Sequence, residues 1–150
     1  MLAREIMNRN VATVREDAAI EEVARLLTEK NISGAPVVDS EGKVVGIVSE
    51  GDLLHKETNP RSPSYVNILG AIIYTSGLER FREDFKKLAA TRASEIMTRD
   101  VISVNGDAKM EQVATLMVEH GIKRVPVLEN GKIIGIITRA DIIRAMAQQA

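Results

Sequence analysis

Cysteine is absent from all 150 residues, which excludes disulfides, thiolate zinc sites and cysteine nucleophiles together. That absence fits a reducing compartment, and the expected location is the cytoplasm. Aromatic residues amount to only 3%, too few for the stacking platform on which single-stranded nucleic acid rests. Charge of one sign is lacking as well. Twenty Lys and Arg stand against 21 Asp and Glu, a formal net charge of −1, so no basic field draws in a polyanion and nucleic acid is not an expected partner. Long hydrophobic runs are also missing. The most apolar stretch, Tyr65 to Tyr74, is about half the ~20 residues that span a bilayer as a helix. The first turn carries Arg4 and Glu5 where a signal peptide would be apolar, so neither a membrane span nor secretion is expected. The two histidines, His55 and His120, lie far apart, and no metal is expected. Asp52 and His55 have the i,i+3 spacing of a helical Asp–His pair. No metal motif or activated nucleophile accompanies them, so no catalytic residue is assigned and the chain reads as a non-enzyme.

What is present is a globular balance of 45% apolar and 27% charged residues, enough for one core but not for a catalytic domain beside a regulatory one. Anything the chain regulates is then a separate molecule. The chain repeats itself: residues 3–55 overlay residues 93–144 with one gap near Ser40, placing Glu5-Ile6-Met7 over Glu95-Ile96-Met97 and Pro36-Val37 over Pro126-Val127. Each copy of about 50 residues is marginal alone, so the two are expected to fold together as one unit over 1–150.

Within each copy, Val11 to Val14 and Val101 to Val104 are short β-branched runs, followed by Asp17 and Asp107 as expected N-caps. Ile20, Val23, Ala24 and Leu27, like Met110, Val113, Ala114 and Met117, recur at helical spacing with the glutamates opposite. Ala35 to Val38 and Val125 to Leu128 read as strands with proline at the entrance. Turns at Ser40-Glu41-Gly42 and Asn130-Gly131 lead into Val44 to Val48 and Ile133 to Ile137, apolar runs that predict burial on both faces. A short helix then begins at Ser49 or Thr138. The fold class is α/β with mixed α+β character: two βαββα units, plus a helical insert over 56–92. In that insert, Thr58 to Ser64 is turn chemistry, and Leu78, Phe81, Phe85 and Leu88 mark an amphipathic helix. The insert either covers core of its own module or offers a surface to a partner.

Both copies close on the same pattern, Gly46-Ile47-Val48-Ser49-Glu50-Gly51-Asp52 and Gly135-Ile136-Ile137-Thr138-Arg139-Ala140-Asp141. A hydroxyl followed three residues later by a carboxylate is what a capping box looks like. The same pair at a strand-to-helix corner also suits a nucleotide, with the helix start favouring phosphate and the acid accepting ribose hydroxyls. Both readings stand at this level. Apolar residues near Val11, Ile32, Val101 and Ile122 offer a slot for a base.

These features together resemble a tandem pair of cystathionine-β-synthase (CBS) domains, a Bateman module. The likeness rests on the Glu-Ile-Met lead-in, the Thr or Ser of the first strand, the Ile-x-x-x-Pro run and the Gly-h-h-[Ser/Thr]-x-x-Asp close, where h is apolar. It covers both repeats, about two-thirds of the chain. It implies a pseudo-twofold pair with two clefts that bind adenosine derivatives. Carried over by position, Asp52 and Asp141 would hold ribose hydroxyls and Ser49 and Thr138 would touch phosphate. Thr13 and Ser103, with backbone around Gly34-Ala35-Pro36 and Arg124-Val125-Pro126, would frame the adenine, and Ile32 and Ile122 would line its faces. The copies differ in charge: Lys123, Arg124 and Arg139 are assigned to the second motif, where the first has Ser33, Gly34 and Glu50. If those cations point inward, the second site should prefer more phosphate; if not, Lys123 and Arg124 are solvated loop residues.

The expected function is therefore regulatory binding of an adenine nucleotide (AMP, ADP or ATP), with S-adenosylmethionine and NAD as further candidates and no required cofactor. Binding would change the angle between repeats, or between modules of a homodimer formed through faces such as Ile142-Ile143-Ala145-Met146, and a protein partner would read that change. The alternative is a structural or protein-interaction module without a small-molecule ligand.

Overall fold

The chain is described by a computed structural model that covers residues 1–57, 64–88 and 90–150, with backbone only at 64–68, 72, 74 and 84–88. The first repeat runs α1 (Ala3–Ile6), β1 (Val14–Arg15), α2 (Ile20–Lys30), β2 (Gly34–Val38), β3 (Val44–Ser49) and α3 (Glu50–Lys56). The insert contributes β4 (Ser64–Ile68), β5 (Ala71–Ser76) and α4 (Leu78–Leu88). The second repeat is α5 (Ala93–Ile96), α6 (Met110–His120), β6 (Arg124–Glu129), β7 (Lys132–Thr138) and α7 (Arg139–Gln149).

In each repeat an antiparallel hairpin, β2–β3 or β6–β7, is joined by a parallel partner on the outer edge of its first strand. In repeat one this partner is β1, with Val14 opposite Val37; in repeat two it shrinks to a single bridge between Val104 and Val127. The first strand is thus shorter than the run of β-branched residues implies. Pro36 and Pro126 sit inside their strands rather than at the entrance, opposite Ile47 and Ile136. Those two isoleucines spend their backbone N–H and C=O groups on Thr98 and Asn8, so no ladder bond is asked of the prolines. Asn130 and Gly131 have φ of 54° and 79°, the two positive values that a type I′ turn requires.

The sequence places the helix caps at Asp17 and Asp107, but α2 and α6 start later, after Ala19 and Lys109. The reason is an exchange of lead-in segments. Ile20 N–H donates to Thr91 C=O and Met110 N–H donates to Met1 C=O, at 3.1 and 2.9 Å. Backbone from the other repeat's lead-in therefore satisfies helix-end donors that a carboxylate would otherwise serve. Asp17 and Asp107 remain in the preceding turns, where Asp17 C=O accepts from Arg92 and the Asp107 carboxylate pairs with Arg4.

The cores confirm this crossing. Ala90, Ala93, Ile96 and Met97 are buried with Val14, Val23, Leu27, Val37 and Val48 of repeat one, whereas Ala3 and Met7 are buried with Val113, Met117, Val127 and Ile137 of repeat two. Each part of the Glu-Ile-Met motif has a physical role here. Glu95 Oε1 accepts from the backbone N–H groups of Thr91 and Arg92 and from the Thr91 hydroxyl, closing the start of α5. The methionines lie on the glycines that open the closing motif. A Cβ added to Gly46 would strike the Met97 side chain and come to 2.9 Å from the Thr98 carbonyl oxygen; one added to Gly135 would strike Met7. The returning strands alternate: Gly46 and Val48 are buried on the core face, while Ile47 and Ser49 are half-buried on the other. The apolar run implies burial on both faces, yet burial is complete on the core face alone, because the opposite face borders the other repeat.

Equivalent residues meet at that boundary. Lys43 bridges Lys132, and Arg124 lies over its own counterpart, Gly34. A pseudo-twofold axis therefore passes there. The insert contains more than a helix: the run Tyr65 to Tyr74 forms the β4–β5 hairpin, and α4 packs against α3. The turn chemistry expected at residues 58–63 lies outside the described residues, as do the side chains of Phe85 and Leu88.

Two outcomes test this packing. Gly46→Ala should cost about 1–3 kcal/mol by overpacking, read as a lower urea midpoint, and Met97→Ala in the same chain should couple to it non-additively in a double-mutant cycle. The Glu95 carboxyl is held below its usual value chiefly by the Thr91 backbone N–H. Its contribution to stability is then present above the ordinary value of 4.5 and lost as pH falls through the lower folded value. The urea midpoints of wild type and Glu95→Ala should accordingly differ near neutrality and converge in acid.

Candidate functional site

The half-buried faces of the two repeats enclose a cavity of about 400 Å³, within the range of roughly 300–1,000 Å³ usual for small-molecule sites. Repeat one contributes its strand-to-helix corner, Ser49 to Asp52, together with Ser33, Ile47 and Leu54. Repeat two contributes the chain that follows its lead-in, Thr98 and Asp100 to Ile102, and the approach to β6, Gly121 to Arg124. Ile47, Val101, Ile102 and Ile122 supply apolar wall; Ser49, Asp52, Lys123 and Arg124 supply polar groups. The lead-in exchange is what delivers Thr98 and Asp100 here, because Thr98 pairs with Ile47 in both directions along the backbone.

Both closing motifs form capping boxes. Asp52 Oδ2 accepts from the Ser49 backbone N–H at 2.9 Å and its hydroxyl at 3.2 Å; Asp141 Oδ2 accepts from Thr138 in the same way at 2.8 and 3.0 Å. Capping and ligand holding are compatible where the carboxylate also meets a cavity. Asp52 lines the inter-repeat cavity. Asp141 Oδ1 also accepts from Arg144 of its own helix at 3.0 Å.

The other candidates from sequence divide accordingly. Ser49, Asp52, Ile122, Lys123 and Arg124 come together in the cavity, while Gly34 lies beneath the Arg124 guanidinium. Ala35, Pro36, Val125 and Pro126 are buried in their strands, and Ile32 packs against the core of repeat one. Thr13 is exposed and lines a different, outer groove with Asp17 and Glu22; Ser103 is exposed on the opposite repeat. Thr138 and Arg139 stay with Asp141 at the second corner, where Arg139 N–H donates to Lys123 C=O.

One grouping is corrected. The duplication assigns Lys123 and Arg124 to the second motif with Arg139, but their side chains line the cavity of the first motif, opposite Glu50 and Asp52. Strand β6 starts at the axis, so the residues entering it face the other repeat. Lys123 and Arg124 therefore line the Asp52 cleft together with Glu50, Asp52 and Asp100, and the expected phosphate preference of the second site loses the support of these two cations. Burial lowers the Arg124 pKa, and the charges of Glu50 and Asp52 oppose that effect. Sequence reasoning missed Ile47, Thr98, Asp100 and Ile102 as wall residues. The repeat overlay offered no signal for Thr98 and Asp100, whose counterparts are Asn8 and Asn10. Among the described residues no group of three or more His, Asp or Glu is placed to hold a metal ion, and no helix is long and apolar enough to cross a membrane.

Because Asp141 accepts from Thr138 and Arg144 at the start of α7, Asp141→Ala should lower stability by about 0.5–2 kcal/mol, the usual cost of losing such a cap. A urea titration monitored by far-UV circular dichroism checks this.

Comparison with known proteins agrees with the duplication. The CBS domain family matches residues 3–58 and again 93–148. The protein MJ1426 of Methanocaldococcus jannaschii is 38% identical over 154 residues, covering 97% of this chain and 91% of that one. The CBS domain-containing protein CBSX2 of Arabidopsis thaliana is 31% identical over 93% of this chain and 60% of its own length. This chain spans less than two-thirds of several curated relatives that it matches. The crystal structure of CBSX2 in complex with AMP superposes with a TM-score of 0.76 at 26% identity, covering 99% of this chain and 97% of that one. The CBS domain pair of protein MJ0100, in complex with 5′-methylthioadenosine and S-adenosyl-L-methionine, gives 0.74 at 26% identity, covering 100% and 98%. With both repeats matched in sequence and the whole chain matched in fold, the chain belongs to the CBS domain family and is a tandem pair of such domains.

Proposed function

We propose that this chain is a regulatory module that takes an adenosine-derived ligand in the cleft at the Asp52 corner. The observation that carries the reading is that the Asp52 carboxylate, fixed by its hydrogen bonds to Ser49, lines a cavity with apolar walls made by both repeats. Ribose hydroxyls are donors that suit such a carboxylate, and Ile47, Val101, Ile102 and Ile122 suit the faces of a purine. Ser49 stands beside the 5′ end of a nucleoside placed this way. The bound relatives support the choice of adenosine chemistry: CBSX2 is seen with AMP, and MJ0100 with 5′-methylthioadenosine and S-adenosyl-L-methionine.

A ligand in contact with both repeats binds best at one setting of the boundary between them, and so shifts the population toward that setting. A separate protein reads the change. A second copy of the chain is the first assembly partner proposed, because Leu54 on α3 and its counterpart Ile143 on α7 are 66% and 64% exposed, with Met146 beside the latter. Ile142 and Ala145, which the sequence places on the same surface, are buried in the core of repeat two.

The test is a thermal-shift panel of AMP, ADP, ATP, NAD, S-adenosylmethionine and 5′-methylthioadenosine, with GMP as control. At about 100 times its dissociation constant a ligand stabilises by roughly 2.7 kcal/mol, which is several degrees in a chain of this size. Asp52→Ala should abolish most of that shift and Asp141→Ala should retain it. A flat panel with wild type would overturn the ligand reading in favour of a protein-interaction module.

A further inference from the structure

We propose, resting on the ligand reading above, that Glu50 sets the charge preference of the Asp52 cleft, favouring an adenosine compound with a cationic 5′ substituent, such as a sulfonium, over one with a 5′-phosphate. Glu50 follows Ser49, the residue beside the 5′ end of a nucleoside placed by Asp52, and lines the same cavity. Its backbone N–H donates to the Ser33 carbonyl at 2.9 Å, and the Ser33 hydroxyl accepts from Arg124. One serine thus holds the acid and the base at the same end of the cleft.

The other charges of the cleft are already engaged. Arg124 donates to Ser33 across the repeat boundary, and the charges of Glu50 and Asp52 act on its guanidinium. Asp52 is held by Ser49. Lys123 is exposed, a flexible and well-hydrated ammonium at the rim. Among the described residues, no hydrogen bond or ion pair engages the Glu50 carboxylate. Glu50, Asp52 and Asp100 line the cavity with Lys123 and Arg124, so three carboxylates against two cations leave one negative charge in excess. That excess opposes a phosphate dianion and attracts a sulfonium, and apolar walls strengthen both effects.

The duplication separates this role from a purely structural one. Glu50 and Arg139 are counterparts, each the first residue of its helix, α3 or α7. The Arg139 N–H donates to the Lys123 carbonyl at 3.2 Å, as the Glu50 N–H does to that of Ser33. The backbone position is therefore the same in both copies, and the side chains differ in sign. A helix start by itself favours an acid at both places. Arginine at 139 shows that the fold accepts either sign, so helix stability does not dictate the choice at 50.

The experiment is isothermal titration of the full chain with S-adenosylmethionine, S-adenosylhomocysteine and AMP, for wild type, Glu50→Gln and Glu50→Arg. The first two compounds differ by one methyl group and the sulfonium charge, so the ratio of their dissociation constants isolates that charge. Wild type should bind S-adenosylmethionine about two- to fivefold more tightly than S-adenosylhomocysteine, the range expected of an exposed charge pair, and the advantage should shrink at high salt. Glu50→Gln should bring the ratio close to one and tighten AMP. Glu50→Arg, which copies the sign of the second corner, should tighten AMP further and serves if Glu50→Gln does not fold. An unchanged ratio in both variants, whether or not overall affinity falls, or a wild type that prefers S-adenosylhomocysteine, overturns the role of Glu50 while leaving the ligand reading intact. A wild type that binds no adenosine compound overturns both.

Discussion

The exchange of lead-in segments is the constraint on which the rest of this structure depends. Residues 1–7 seal the core of repeat two and residues 90–97 seal the core of repeat one, so neither copy completes its interior with its own chain. The exchange also caps α2 and α6 with foreign backbone and seats Met97 and Met7 on Gly46 and Gly135. The lack of a Cβ at these two glycines is thus a packing requirement, since the core face of the returning strand must receive a methionine from the other repeat. A methionine, unbranched and adaptable, suits such a crossing contact.

The cleft follows from the same crossing. Once each lead-in has crossed, the chain that follows it pairs with the far repeat's returning strand, Thr98 with Ile47 and Asn8 with Ile136. The outer faces of those strands are thereby held at a distance from the opposite repeat, and space remains between them. Its walls necessarily come from both repeats. That composition makes a ligand there a reporter on the boundary between the copies, which is the physical requirement for a regulatory binding site as opposed to a storage pocket.

Duplication supplied two equal corners, and divergence near the axis made them unequal. Asp52 and Asp141 both accept from the residue three positions before them; Arg144 also donates to Asp141, and Asp52 lines the inter-repeat cavity. Position 50 is Glu where position 139 is Arg, and position 34 is Gly where position 124 is Arg. Because counterparts approach each other at the axis, a change in one copy acts on the cleft of the other. Substitutions there are consequently more effective than at the periphery, where Val14 and Val104 play similar parts in separate cores.

The duplication was legible by overlaying residues 3–55 on 93–144, and the helical faces of α2 and α6, the hairpin turn at Asn130-Gly131 and the Ser–Asp and Thr–Asp corners were determined by the sequence itself because each depends on residues within about ten positions of one another. The local chemistry of capping and turn formation needs nothing further. Only the tertiary structure decided which lead-in belongs to which core, that Asp17 and Asp107 are not the caps, and that Lys123 and Arg124 line the cavity that Asp52 lines. These outcomes rest on contacts between the two copies. Duplicated repeats carry the same pattern whether a segment stays or crosses, so the choice is made by packing against the partner copy and leaves no local trace.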